Sequence, residues 1–195
     1  GCNHGSEFGE TRSSINSNHY SSDFMRFVWR KNSNNTSPNG REDAAAMLSY
    51  ACNVFAISET GPTRSSNEDS IYYTYPEAHP RSFFGIVADG MGGHEAGEVA
   101  SRIACETTQQ YMRRHAAEKN ASMMLEGCIH AAQAAILETP QENSSYSGMG
   151  TTATMIYIRD GNMFFAHVGD SRLYHFRHNK LVQVTTDNTL VNEMV

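Results

Sequence analysis

Apolar positions along the chain change their period several times, and each change marks an element. "NVFAIS" is a short β-like run, and "ETGPTRSSNEDS" after it is a polar loop that ends on acids. "IYYTYP" is rich in β-formers and stops at a proline, while "RSFFGIVA" is a continuous apolar run of the kind found in the middle of a sheet. Beyond a cluster of glycines, Val99, Ile103, Thr107 and Tyr111 recur at four-residue spacing and predict one helical stripe. A second helix is predicted from about Ala121, with Leu125, Cys128, Ile129, Ala132 and Ile136 on one face, ending before Pro140. "TTATMIYI" and "NMFFAHV" flank Asp160-Gly161, a strong signal for a tight hairpin. "RLYHF" and "LVQV", separated by His178-Asn179, are expected to complete an antiparallel meander. Strands, two adjacent helices and strands again predict an α+β layering with the helices on one face of a sheet.

Residues 1 to about 42 lack any such period. They are dense in Asn and Ser, cannot bury enough surface to offset the entropy of ordering, and read as a mostly disordered tail. Their one apolar knot, "DFMRFVWRK", is read as a surface peptide, with docking as a short strand or helix the alternative. The 195 residues otherwise suit one ordinary domain. A net charge of −6, from 15 basic and 21 acidic residues, argues against a general nucleic-acid binder. No apolar run is long enough for a membrane span, and no signal peptide is visible, so the expected location is the cytoplasm. Cys2, Cys52, Cys105 and Cys128 are scattered without a C-x-x-C pair and read as free thiols in a reducing compartment.

The chemistry concentrates where strands end. "FFGIVADGMGGHEAGEVAS" passes from a buried strand into Asp89 and then into three glycines within four positions. A strand delivers the carboxylate rigidly to a sheet edge, and glycine lets a backbone carbonyl approach a ligand. Carboxylate plus bare carbonyl suits Mg²⁺ or Mn²⁺ rather than zinc. The bland alternative is a strand-to-helix turn in which Asp89 caps the helix. Phosphate-loop patterns fit poorly: no G-x-x-x-x-G-K-[ST] occurs, and Gly90, Gly92 and Gly93 do not make G-x-G-x-x-G. Glu68-Asp69 stands directly before another strand, and Asp170 closes a third, in "AHVGDSR". Carboxylates gathered from three strand edges stay stable only if cations neutralise them. Two such cations roughly 3.5–4 Å apart activate a water for attack on a phosphoryl group. Arg64 is placed to take that phosphate through its guanidinium fork, a surface loop arginine being the alternative.

"GPTRSSNEDS", "FFGIVADGMGGHEAGEVAS", "SGMGTTAT" and "AHVGDSRLYHF" resemble the successive motifs of the metal-dependent protein phosphatases, the protein phosphatase 2C family, and its bacterial-type branch in particular. The resemblance covers residues 57 to 195. It implies an α+β fold, a β-sandwich of antiparallel sheets flanked by helices, of which residues 50–195 form the N-terminal part. The activity implied is hydrolysis of phosphoserine and phosphothreonine in proteins by water activated at a binuclear Mn²⁺ or Mg²⁺ centre, without a phosphoenzyme. Carried over, Asp89 bridges the two metals and the Gly90 carbonyl binds one of them. Glu68 and Asp69 act as ligand and outer acid, Asp170 holds a third, weaker metal, and Arg64 binds phosphate. Gly150, Thr151 and Thr152 match a motif that packs the core.

His94 does not inherit a general-acid role, because Met91 occupies the position where some members carry a histidine. His115, His130, His167, His175 and His178 lack ligand spacing and are read as structural. Members of the family continue beyond "TTDNTLVNEMV" with further strands, helices and two more metal aspartates, and Asp187-Asn188 is not one of these. The chain alone is therefore expected to be inactive. Implied partners are phosphorylated proteins and a paired Ser/Thr kinase, with no nucleic acid and no membrane. The alternative is a catalytically inactive phosphatase-like module that regulates or binds phosphoproteins. Retention of Arg64, Glu68, Asp69, Asp89, Gly90 and Asp170 favours the enzyme.

Overall fold

The computed structural model describes residues 24–31, 50–62, 64–79, 81–92, 95–142 and 146–188. In chain order its elements are β1 (Phe24–Lys31), β2 (Tyr50–Ile57), β3 (Asp69–Thr74), β4 (Phe83–Met91), α1 (Ala96–Arg114), α2 (Ala121–Glu142), β5 (Gly150–Thr151), β6 (Ala153–Arg159), β7 (Asn162–Val168), β8 (Tyr174–Arg177) and β9 (Lys180–Gln183). The central sheet is antiparallel in the order β3-β4-β6-β7, with β5 paired to the end of β4. β4 is buried on both faces over most of its length, with Phe84, Ile86 and Ala88 on one face and Phe83 on the other, which matches its continuous apolar sequence. Phe84, Ile86, Ala88, Met155 and Tyr157 turn one sheet face towards the helices and form the main core with Cys105, Met112, Leu125 and Cys128. Each large side chain buried there contributes about 1.5–3 kcal/mol. The helices lie on one face of the sheet, as the layering predicts.

Both two-residue turns have the conformation that tight hairpins require. Asp160 and Gly161 lie at φ 51° and 76°, and His178 and Asn179 at 50° and 58°. β8 and β9 pair only with each other among the described residues, a separate hairpin and not a continuation of the central meander. α2 runs through Pro140 to Glu142, past its predicted end. A proline this close to a C-terminus forfeits one intrahelical bond, and the Thr139 hydroxyl adds a bond to the Ala135 carbonyl beside it, at 2.8 Å.

The buried face of α1 is rotated from the predicted stripe. Val99 is buried, but Ile103, Thr107 and Tyr111 are only half-buried, and the centre belongs to Ala100, Ser101, Ala104 and Thr108. Small residues let the helix approach the sheet closely, and a bond between the Ser101 and Ser70 hydroxyls, 3.0 Å, joins α1 to β3. The apolar knot inside the stretch read as a tail is β1, which pairs antiparallel with β2 from Phe24 opposite Ile57 to Lys31 opposite Tyr50. The rest of that stretch, residues 1–23 and 32–42, lies outside the described residues, as do residues 43–49. No helix among the described residues is long and apolar enough to cross a membrane.

Candidate active site

β4 ends beside the start of β3. Asp69 stands directly opposite Asp89 in the antiparallel register, and the ladder extends one step further, where the Gly90 N–H donates to the Glu68 carbonyl at 3.0 Å. Directly opposed residues project to the same sheet face, about 4.5–5.5 Å apart at Cβ. Phe84, Ile86 and Ala88 face the helices, so alternation along β4 sends Asp89, and Asp69 with it, to the other face. Like charges at directly opposed positions destabilise a ladder. A divalent cation is one group that can offset such a pairing.

Glu68 lies on the helix side. A Cβ added to Gly97, in the first turn of α1, would stand 3.2 Å from the Glu68 carboxyl carbon and 3.0 Å from the Gly90 backbone. The carboxylate therefore lies against a helix N-terminus, whose dipole favours negative charge. Its other neighbour is the Arg64 guanidinium at 3.8 Å, on a side chain that is 71% exposed. An exposed pair of this kind contributes about 0–1 kcal/mol and leaves the guanidinium free to turn to another anion. Asn67 shapes the approach: its side-chain carbonyl accepts from the Asp69 N–H at 3.0 Å, and its amide donates to the Ser58 hydroxyl at 2.6 Å.

Asp89 is not the cap of α1. Glu95 occupies that position, with no side-chain capping bond. The Asp89 carbonyl instead accepts from the Thr152 N–H at 2.8 Å and from the Thr151 hydroxyl at 2.9 Å. Asp170 is exposed beyond β7, next to Gly169, where an added Cβ would run into the Thr152 side chain. The structure thus brings Glu68, Asp69, Asp89 and Gly90 to one sheet end, with Arg64 at the rim, and leaves Asp170 on a neighbouring loop. Glu68 is on one face while Asp69 and Asp89 share the other. Among the described residues no group of three or more His, Cys, Asp and Glu side chains could by itself hold a metal ion. The Asp69 and Asp89 carboxylates that share a face are hard oxygen donors, of the type that suits Mg²⁺ or Mn²⁺.

Asp187 has a structural engagement. Its carboxylate accepts from Arg172 Nε at 3.0 Å, from Arg172 Nη2 at 2.5 Å and from the Gln183 amide at 3.1 Å. The hydrogen bond from Arg172 holds the Asp187 carboxyl below its ordinary range and raises the guanidinium in turn. His167 Nδ1 lies 2.9 Å from the Thr154 hydroxyl, His115 stacks on Tyr111, and His130 neighbours Glu126 within α2. His175 and His178 are exposed on the β8–β9 hairpin, and His94 lies outside the described residues. Sequence reasoning missed Asn67 and Gly97. An Asn two residues before the strand was the signal for the first, and a glycine inside a helical pattern for the second.

Residues 63–194 match the family profile described as protein phosphatase 2C. The chain is 35% identical over 149 residues to the serine/threonine protein phosphatase PstP of Mycobacterium tuberculosis, covering 76% of this chain and 27% of that protein. It is 32% identical over 144 residues to the protein phosphatase PhpP of Streptococcus pneumoniae, covering 73% of this chain and 57% of PhpP. The crystal structure of the PstP catalytic domain in complex with two manganese ions superposes with a TM-score of 0.61 at 27% identity, covering 87% of this chain and 59% of that one. The chain thus spans 27% and 57% of the lengths of these two relatives.

Proposed function

The chain belongs to the protein phosphatase 2C family, and from that premise we propose that it serves a metal-dependent protein serine/threonine phosphatase. The observation that carries the reading is the Asp69–Asp89 pair at the end of β4, two carboxylates on one face with the Gly90 backbone beside them. Asp89, the Gly90 carbonyl, Glu68 and Asp69 are the groups that would hold Mn²⁺ or Mg²⁺, and Asp170 on the adjoining loop would hold a further ion. When bound, such ions lower the pKa of water and offset charge on a phosphoryl group. Arg64, exposed and only weakly tied to Glu68, would orient the phosphate of a phosphoserine or phosphothreonine side chain. The relatives' names support phosphoproteins as the substrate class, and a Ser/Thr kinase is the natural counterpart. Cys105 and Cys128, unpaired in the core, agree with action in a reducing compartment such as the cytoplasm. The acids retained at cross-strand register speak against the inactive binding module, which has no use for their repulsion.

The test is turnover by the full-length protein. Hydrolysis of p-nitrophenyl phosphate and of phosphothreonine peptides should require Mn²⁺ or Mg²⁺ and cease with EDTA. Activity that survives exhaustive chelation, or that depends on zinc, would overturn the proposal.

A further inference from the structure

Thr152 does more than pack the core. β4 pairs with β6 from Phe83 opposite Ile158 to Val87 opposite Thr154, and with β5 at Gly90 opposite Thr151. One register runs through both, and it sets Thr152 opposite Asp89. There the Thr152 N–H donates to the Asp89 carbonyl at 2.8 Å, as a ladder requires, but the Asp89 N–H donates to the Thr152 hydroxyl at 2.9 Å. A side-chain oxygen has entered the ladder at the acid itself, and it marks the break between β5 and β6. The same hydroxyl lies 2.7 Å from the Ser171 hydroxyl, one residue beyond Asp170. Gly169, at φ +103°, comes so near Thr152 that a Cβ there would stand 2.6 Å from the Thr152 methyl. Thr152 is only 8% exposed, and a hydroxyl so deeply placed costs stability unless it is bonded. Valine has nearly the same shape without that cost, so packing alone does not explain the threonine.

We infer that Thr152 is a positioning residue. Its hydroxyl fixes the backbone of Asp89 and, through Ser171, ties it to the loop that carries Asp170, so that acids from two strand ends keep one relative placement. The inference rests on the proposed function in taking Asp89 as a cation ligand. It goes beyond that reading in assigning the alignment of the ligand to a hydroxyl bridge.

The experiment uses the full-length protein and its Thr152→Val, Thr152→Ser and Ser171→Ala variants. Two quantities are read: hydrogen exchange of the Asp89 amide without metal, and Mn²⁺ affinity by titration. Thr152→Val should lose protection at Asp89 and bind Mn²⁺ about tenfold more weakly, the scale on which outer-shell partners act. Thr152→Ser should keep both properties near wild type, a rescue that a packing role would not give. Ser171→Ala should keep the protection yet weaken Mn²⁺ binding. Wild-type protection and affinity in Thr152→Val would overturn the inference, and so would a Thr152→Ser variant as impaired as the valine. If Thr152→Val does not fold, unchanged Mn²⁺ affinity in Ser171→Ala overturns the bridge. A wild-type protein that binds no Mn²⁺ would refute the metal-dependent reading instead, while exchange at Asp89 still decides whether the hydroxyl holds that residue.

Discussion

Asp89 faces Asp69 across the ladder, and the consequences of removing either charge differ from those of removing Arg64. Asp89 stands opposite Asp69 of β3, beside Gly90, which pairs with Thr151 of β5. Asp89→Ala should therefore abolish both Mn²⁺ binding and turnover in the full-length protein. Arg64→Ala should raise KM for phosphopeptides while Mn²⁺ titration remains close to wild type, since among the described residues the largely exposed arginine meets the site acids through a long contact with Glu68. Loss of Mn²⁺ binding in Arg64→Ala would show that the arginine supports the acids and not the substrate. The buried thiols give a pH dependence. Burial pushes the Cys105 thiol up to about 12, with the Glu106 carboxylate adding to the effect, and burial alone pushes Cys128 up to about 12. Between pH 9 and 12 the unfolded thiols release protons that the folded ones keep, so the unfolded state binds fewer protons and stability falls as pH rises. Urea midpoints should decline across the accessible part of that range, and a Cys105→Ala/Cys128→Ala variant, less stable throughout, should show a shallower decline.

At the scale of elements, the contact between β4 and α1 sets where the acids sit. A Cβ on Gly90 would collide with the Gly97 carbonyl and stand 2.6 Å from the Glu68 carbonyl, both of them backbone. No side chain can swing away, so Gly90→Ala should destabilise the fold by about 1–3 kcal/mol, the ordinary cost of overpacking. Gly97→Ala meets the Gly90 backbone less severely, at 3.0 Å, and a helix interior gains about 1 kcal/mol from alanine over glycine. Its net effect should be the smaller of the two, as urea midpoints at constant m will show. What the sequence reveals of these elements follows the range of the forces involved. The hairpins at Asp160-Gly161 and His178-Asn179 are legible because a left-handed turn is decided by its own two residues. β4 is legible because both of its faces are buried over Phe83–Ile86, which gives a continuous apolar run. The face of α1 is not, because hydrophobicity ranks Ile103 and Tyr111 above Ala100 and Ser101, whereas close approach to a sheet selects small side chains. The end of α2 is missed because a proline's cost depends on how many intrahelical bonds follow it. Of the site, Asp89, Asp69 and Glu68 are visible as acids at strand ends, but their division between two sheet faces depends on register, which no local pattern contains.

The whole molecule leaves apolar surface at its sheet edges. Met163 and Phe165 on β7 are each 43% exposed, Tyr73 on β3 is 45% exposed, and Phe176, Leu181 and Val182 lie open on the β8–β9 hairpin. A strand at the edge of a sheet carries unpaired backbone groups beside such side chains and templates association. The polypeptide of residues 1–195 should therefore sediment as a concentration-dependent mixture, and Phe165→Lys should shift it towards monomer. A monodisperse monomer at all concentrations would show that these side chains find cover within the 195 residues. The same polypeptide tests how much of the metal site these residues contain. Asp69 and Asp89 share one face, Glu68 lies on the other against α1, and no group of three acids, histidines or cysteines able to hold a metal occurs among the described residues. Two carboxylates and a carbonyl fill only part of the six-coordinate shell that Mg²⁺ demands, and water must supply the remainder. Calorimetric titration of Mn²⁺ into the polypeptide should give weak binding, with trace turnover at most. Tight binding at two sites with turnover equal to that of the full-length protein would mean that Glu68 swings from the α1 terminus to join Asp69 and Asp89, and that these residues complete the centre unaided.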